Sequence, residues 1–589
     1  MNTLDITIIV IYLVSLIAMG AYLRRYAAGS LENFFLAGRK MPGWANGISY
    51  AATMINTDVA PAYCAWTVGT GICVAWLYFS RFGLALMIGA VLFAVFWRRL
   101  GLFTSPEFYE IRFRGNVGTV LRSWIAVRSA FIAIVAWTGA GLIGITKVLG
   151  PILHWSKLET MLVFVPVLMT YVLMSGYLGV VATDVFQTVI IVVGGLVLCG
   201  AVLADFGGPG QLLEQLSRNA GEAVVGNVPP IDHPELGLVA IMAWVVGTSV
   251  GYGGDAAPMA GAVEGQRILS CKSAREASKM YIVSEIALFF MLLVITLPAL
   301  GALAHEPSLL TAPRGEREMV FGQLLSRYMP PGLLGLQIAA MLAAVMSTVS
   351  SNLNFGAQVF VNDIYRRHMR KGASEAHYLS VGRWMMVLIM GVGIFVAWNA
   401  ESLITLAVFM LGLSSAEYAA NWAQWWWWRF NKWGRVTASF GGPLIFVLVK
   451  FVFFPDAGEY AHVLLSILFT TLSWCIVTLV TRPDDEEALK EFYIRGKPLG
   501  LWGPIRRLTG EREEKGGGSL ILLGLGLSLL GIAWVACGVL ALSDFYVGRF
   551  LTGAVLAAIS VFGAFMFLLL YRRYMDSLDR HMGETPTNI

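Results

Sequence analysis

Ser347, Thr348, Ser350 and Ser351 follow Ala344 closely inside an otherwise apolar run. At 100° per residue their side chains share an arc of about 160° on one side of a helix. Four hydroxyls on one face offer hard, uncharged oxygen ligands of the kind an alkali cation takes; the plainer reading is that small hydroxyl residues let helices approach closely. Asp184, behind Thr183 at the start of another apolar run, adds a carboxylate where an acid is costly and therefore a functional candidate. Main-chain oxygens come from a third place. Asn56-Thr57-Asp58-Val59-Ala60-Pro61 interrupts an apolar run with a proline, which removes a donor and crowds the preceding turn, so the helix unwinds near Asn56–Val59. Backbone groups freed inside a bilayer persist only where they line a cavity or hold something.

The elements that must position these groups are membrane helices. About 57% of the 589 residues are apolar and 13% are charged, against roughly 25% charged in soluble proteins. The mean hydropathy is +0.69. Apolar runs fall near 5–23, 44–72, 73–98, 118–149, 158–178, 182–204, 236–259, 278–304, 331–360, 381–399, 402–428, 433–454, 459–481, 519–542 and 548–571, an all-α membrane protein with about 15 transmembrane helices. Basic residues such as Arg24, Arg98, Arg112, Arg275, Arg366 and Arg435 crowd alternate loops, which sets the N-terminus outside and the C-terminus in the cytoplasm.

The run 236–259 repeats the interruption of 44–72. Gly253-Gly254-Asp255-Ala256-Ala257-Pro258 shares Asp-x-Ala-Pro with the first break, behind a cluster of glycines. Each break opens a block of five spans, and the two blocks run in opposite senses. Gly/Pro-interrupted segments at corresponding places in two inverted halves point to a carrier's binding site. The chain thus reads as a 5+5 inverted-repeat core with two discontinuous helices. Its parts are an N-terminal extra helix and cytoplasmic loop (1–43), the first repeat (44–205), an extracellular loop (206–235), the second repeat (236–430), two further helices (431–481), a cytoplasmic linker (482–517) and two C-terminal helices with a tail (518–589).

Other signals close off other classes. The six cysteines form no CxxC and suggest neither a disulfide nor a metal cluster. The first apolar run has its charges behind it, so it reads as a retained span rather than a signal peptide. The segment 482–517 mixes both charge signs and ends in glycines, as a solvated linker does, and a net charge of +5 gives no reason to invoke nucleic acid. Trp425-Trp426-Trp427-Trp428 reads as an aromatic belt at the inner face. Gly251-Tyr252-Gly253-Gly254-Asp255 misses the GxGD of intramembrane aspartyl proteases by one position, and there is no HExxH. Gly139-Ala140-Gly141-Leu142-Ile143-Gly144 matches GxGxxG inside an apolar span without a preceding strand, so it is a helix-packing face. No catalytic residue and no organic cofactor is expected; a channel or a solute sensor remains the alternative to a carrier.

A solute carried at mid-membrane would meet Asp58, Ala60, Tyr63 and Trp66 on the first break, Tyr252 and Asp255 on the second, and Glu417 with Asn421 on the run 402–428. Arg128 is placed either to pair with a solute carboxylate or to snorkel to the headgroups, and Glu417 either to meet the solute or to sit in a structural ion pair. Glu285 reads as an interfacial acid. A sugar or polyol leads narrowly over an amino acid or carboxylate.

The run Ala344-Val345-Met346-Ser347-Thr348-x-Ser350-Ser351-x-Leu353-Asn354, ending in Asp363-Ile364-Tyr365, resembles the sodium-site helix of the sodium/solute symporter family, which includes sodium-coupled glucose, proline and sialic acid carriers. Gly176-x-x-Gly179-Val180-x-x-Thr183-Asp184-x-x-Gln187, Thr104-x-x-Glu107-Phe108 with Arg112-Phe113, and Gln266-Arg267-x-Leu269-x-x-Lys272-Ser273 agree. The resemblance spans roughly residues 5–480. It departs in the second break, where Tyr252 stands farther ahead of Arg267 than the aromatic segment of relatives does.

The resemblance implies a sodium-coupled symporter of the plasma (inner) membrane, importing a small polar solute by alternating access as a monomer. It implies a first sodium on the hydroxyls of Ser347 and Thr348 and the carbonyls of Ala344, Asn56 and Val59, and a second on Asp184, Ser350 and Ser351; Asp58 matches an acid near sodium in proline carriers. The energetics fit that purpose. One charge crossing 100 mV releases about 2.3 kcal/mol, so two ions could concentrate a neutral solute roughly a thousandfold before any sodium gradient is counted.

Overall fold

The computed structural model describes residues 2–27, 30–55, 57–249, 253–255, 263–510 and 517–583, and among them the chain is helical with no named strand. Twelve stretches are long and apolar enough to cross a membrane among the described residues. The three further runs of the sequence reading lie in broken or merged stretches. The run 44–72 is split, 158–178 continues into 182–204 within one helical stretch Lys157–Phe206, and 236–259 holds only short helical pieces. At 1.5 Å per residue a 50-residue stretch is about 75 Å long, more than one crossing needs.

The first break falls where proline chemistry places it. One helix, Gly43–Met54, ends at Ile55, and the next, Val59–Thr70, begins after Asp58 with Pro61 in its first turn, where a missing donor costs nothing. The break is seated on glycines. A Cβ at Gly144 would run into the backbone of Thr57 and Asp58, and the Thr57 hydroxyl donates to Gly141 O at 2.7 Å. On the other side of that helix, Gly139 lies against Val396 and Gly393. The GxGxxG stretch is therefore a packing face whose absent side chains let one backbone rest on another. In the same way, a Cβ at Gly47 would stand 2.6 Å from Met280 O, so Gly43–Met54 packs backbone-close on Ala274–Thr296.

Of the second break, Gly253 (φ +79°), Gly254 and Asp255 are described; Tyr252 and Pro258 lie outside the described residues. Its carbonyls are satisfied by side chains from other helices. Trp97 Nε1 donates to Gly253 O (2.5 Å), and Gln424 Nε2 and Trp425 Nε1 donate to Gly254 O (2.8 and 2.9 Å). The central element is Leu333–Val359, which carries the hydroxyl ridge and is buried along nearly its whole length.

The segment 482–517 departs from the linker reading. Residues Glu486–Gly496 and Gly503–Leu508 are helices, with Leu489, Phe492, Tyr493, Trp502 and Ile505 buried. Trp502 Nε1 donates to Trp425 O (2.6 Å), Leu501 N donates to Trp426 O (2.6 Å), and the Arg112 guanidinium lies over the Phe492 and Trp502 rings, 3.5 Å from Asp484. Burial pulls Arg112 down to about 10 and pushes the Asp484 carboxyl up. The mixed charges that suggested a solvated linker occupy the outer faces of these helices. Trp425, only 1% exposed, packs between Trp97 and Phe108 (5.1 and 4.9 Å between rings) instead of forming a belt. Trp502→Ala removes this anchor at a cost of about 3–5 kcal/mol; limited proteolysis should then cut within 482–510 faster than in the parent, and an unchanged rate would refute the docking.

Candidate functional site

The hydroxyl ridge faces inward. Ser347, Thr348, Ser350 and Ser351 are all buried, and they meet the first broken helix and the helix of Asp184. Thr348 Oγ1 donates to Thr53 O at 2.8 Å, in the last turn before the break. Ser347 Oγ and Ser49 Oγ both donate to the Asp184 carboxylate. Ser350 turns back onto Ser347 O of its own helix (2.9 Å). Ala344, one turn before Thr348, is buried; Asn56 lies outside the described residues.

An internal cation occupies the surroundings expected for the second sodium. Arg267 Nη2 donates to Thr53 Oγ1 (2.6 Å), Ser49 Oγ (3.1 Å) and Ser351 Oγ (3.1 Å), and lies 3.5 Å from Asp184 Oδ2. All of these groups are buried, so the guanidinium and the carboxylate offset each other's desolvation. Of the three residues expected to hold a second ion, Asp184 and Ser351 meet Arg267, and Ser350 does not point to either.

Val59, Asp58, Thr53 and Thr348 line one cavity of about 120 Å³ beside the break. Its other walls are Tyr50, Met54, Arg81, Phe82, Trp137, Trp244, Thr248, Val263, Asn352, Ala407, Leu411 and Tyr418. Two π turns frame it, Phe79–Gly83 and Val245–Ser249, joined by a 3.2 Å bond from Thr248 Oγ1 to Ser80 O. Such one-residue bulges in helices recur at functional sites because they re-aim side chains. Of the solute candidates read from the sequence, Asp58 lines this cavity. Tyr63 stands just behind it, its hydroxyl accepting from Arg81 (3.3 Å), with Trp66 edge-on to Tyr63 at 5.3 Å; Ala60 is fully buried and Tyr252 lies outside the described residues.

Arg128, Asp255, Glu417 and Asn421 form a different structure. Arg128 pairs with Asp255 (2.9 Å) and with Glu417, while Arg435 bonds Glu417 (3.0 Å), Asn421 Oδ1 (2.5 Å) and Tyr109 Oη (3.0 Å) and lies 3.8 Å from Asp255. The two cations and two acids are at most 2% exposed, and Ser439 donates to Glu417 as well (3.2 Å). Arg128 neither snorkels nor lines the cavity, and the acids assigned to the solute are held by arginines. This is an internally neutral clamp that joins segments far apart in the sequence. Glu285, read as interfacial, is fully buried, and neither of its oxygens has a hydrogen bond among the described residues. A third polar network joins Asp363 to Thr104 (3.0 Å) and to Arg122, whose guanidinium also reaches Glu107 (3.4 Å) and Glu110 (2.8 Å).

Two interrupted helices and a buried hydroxyl helix, with a small cavity at the first interruption, define a secondary transporter. The chain belongs to the sodium:solute symporter family, whose model matches residues 34–442. It is 25% identical over 421 residues to the sodium/glucose cotransporter of Vibrio parahaemolyticus, covering 67% of this chain and 75% of that one. It is 28% identical over 437 residues to sodium/glucose cotransporter 1 of sheep (Ovis aries), covering 67% and 63%. Among solved structures, a Na+-coupled sialic acid symporter in a substrate-bound outward-open state superposes with a TM-score of 0.65 at 17% identity, covering 82% of this chain and 99% of that one. The protein is a transporter and not an enzyme, and sodium is its coupling ion.

The arginine clamp sets a stability prediction. Arg128→Ala leaves Asp255 and Glu417 buried with one partner fewer, which costs about 3–5 kcal/mol. The detergent-solubilised variant should unfold at a clearly lower temperature than the parent; an unchanged midpoint would show that the clamp holds nothing together.

Proposed function

We propose that the protein carries sodium and one small polar organic solute into the cell together, by alternating access around the first break. Sodium binds between Thr348 and Ser347 on the ridge and the main-chain oxygens of Ala344, Asn56 and Val59. The observation that carries this reading is that Thr348 and Val59 line the same cavity as Asp58 while Thr348 is already bonded across to Thr53 O. Ion and solute positions are then adjacent, so binding of either orders the walls of the other, which is the coupling free energy that symport requires. The basic bias of alternate loops supports an outside N-terminus and a cytoplasmic C-terminus in the plasma membrane, and the buried clamp within one chain supports a monomer as the working unit. The relatives named for glucose favour a sugar or polyol; Arg81 and Asp58 on the cavity wall favour a charged solute.

A second ion enters only by exchange. Arg267 already provides Asp184 with a positive partner, so a sodium there must displace the guanidinium. One sodium per cycle follows while Arg267 stays in place.

Purified protein in liposomes should accumulate labelled solute only under an inward sodium gradient. Ser347→Ala and Thr348→Ala should each raise the sodium concentration for half-maximal uptake by roughly tenfold, the worth of about one lost ligand near 1.4 kcal/mol. Uptake that is indifferent to replacing sodium by potassium would refute the reading. Arg267→Gln should steepen the sodium dependence from a Hill coefficient of about 1 towards 2; an unchanged slope would show that Arg267 is not what excludes the second ion.

A further inference from the structure

Arg81 is the cationic side chain of the cavity, and its surroundings hold it without neutralising it. It forms no ion pair among the described residues; its single hydrogen bond goes to the neutral Tyr63 hydroxyl at 3.3 Å. The guanidinium carbon instead lies over four aromatic rings, Phe82 (4.8 Å), Trp244 (5.1 Å), Tyr63 (5.8 Å) and Trp137 (5.9 Å). Ring faces stabilise a partly desolvated cation by their quadrupole and leave most of its N–H donors for another partner. The fully buried arginines described above are each matched by a carboxylate: Arg128 and Arg435 by Asp255 and Glu417, Arg267 by Asp184, Arg112 by Asp484. Arg81, half-buried on the cavity wall, has no such carboxylate among the described residues, so its charge is open to an anion that enters the cavity.

We infer that Arg81 is the specificity-determining residue of the solute site and that the solute is a small organic carboxylate, bound bidentately by the guanidinium and offering a hydroxyl or ammonium donor towards Asp58. This rests on the sodium-coupled reading above and adds to it the chemical class of the cargo.

Charge balance supplies the second support. Arg81 and Asp58 are the charged side chains among the described lining residues, so the empty cavity is neutral overall. Sodium at the break, next to Asp58, leaves one positive charge in excess in a low-dielectric space. A carboxylate on Arg81 removes it. The ion thus raises the affinity for the anion, and by linkage the anion raises the affinity for the ion by the same factor. Planar two-point recognition also selects carboxylate over a neutral isostere, because an amide presents one acceptor and turns a donor against the guanidinium. A neutral sugar would leave the arginine without its counter-charge.

The test uses the purified full-length protein and thermal shift with short-chain hydroxy acids and amino acids, their matched primary amides, and glucose and mannitol, each with and without sodium. Stabilisation by sodium alone checks the ion site independently of the cargo, and its absence would sink the symporter reading itself. Given that response, some carboxylates should stabilise further in sodium and their amides should not. The hydroxy-acid and amino-acid arms decide which donor faces Asp58. Arg81→Gln should weaken the best carboxylate by roughly ten- to a hundredfold and Arg81→Lys by less, both keeping the sodium response. In liposomes, a hydroxy acid moving with one sodium should carry no net current, and a zwitterionic amino acid should carry inward positive current. The inference is overturned if amides or sugars stabilise as well as carboxylates, or if Arg81→Gln binds them unchanged.

Discussion

A bilayer offers no water to satisfy a polar group, so every charge and every freed carbonyl in this chain must find its partner inside the protein. That constraint organises the molecule. Where the first helix breaks, the loosened segment rests on a glycine face and bonds across to Gly141; where the second breaks, Trp97, Gln424 and Trp425 take up its carbonyls. The buried acids Asp184, Asp255 and Glu417 are each met by arginine. What stays without a carboxylate partner is therefore informative, and Arg81 on the cavity wall beside the first break is such a group among the described residues.

Much of the fold was legible because membrane helices follow from hydropathy and because proline leaves few options inside one. Asp-x-Ala-Pro twice, in opposed blocks, was enough to locate both interruptions. The ridge Ser347–Ser351 was legible for the same reason: four hydroxyls on one arc of an apolar helix must face something polar, and they face Thr53 and Asp184.

The solute site was harder, because it is made by residues far apart in sequence. Glu417 and Asp255 looked available for a solute because Arg435 had been counted as a loop cation at the end of a span, when it in fact turns inward to both. Arg81 passed unnoticed as a lone charge in the run 73–98; nothing local marks it, and only the packing of Phe82, Trp137 and Trp244 gives it a role. The linker reading of 482–517 rests on its mixed charges and leaves out Phe492, Tyr493 and Trp502, an apolar set with helical and turn spacing that docks against Trp425.

The contact at Gly144 has a mechanical meaning. With no side chain between them, the backbone of the first interruption and the Ile134–Leu153 helix touch directly and share one fixed point. Any side chain at Gly144 would prise the interruption off that helix, so the two backbones keep their relative position only while this residue stays bare. The carbonyls proposed to take sodium, those of Asn56 and Val59, flank Thr57 and Asp58 in the sequence, so the segment pinned at Gly144 is also the one from which the proposed ion ligands are drawn.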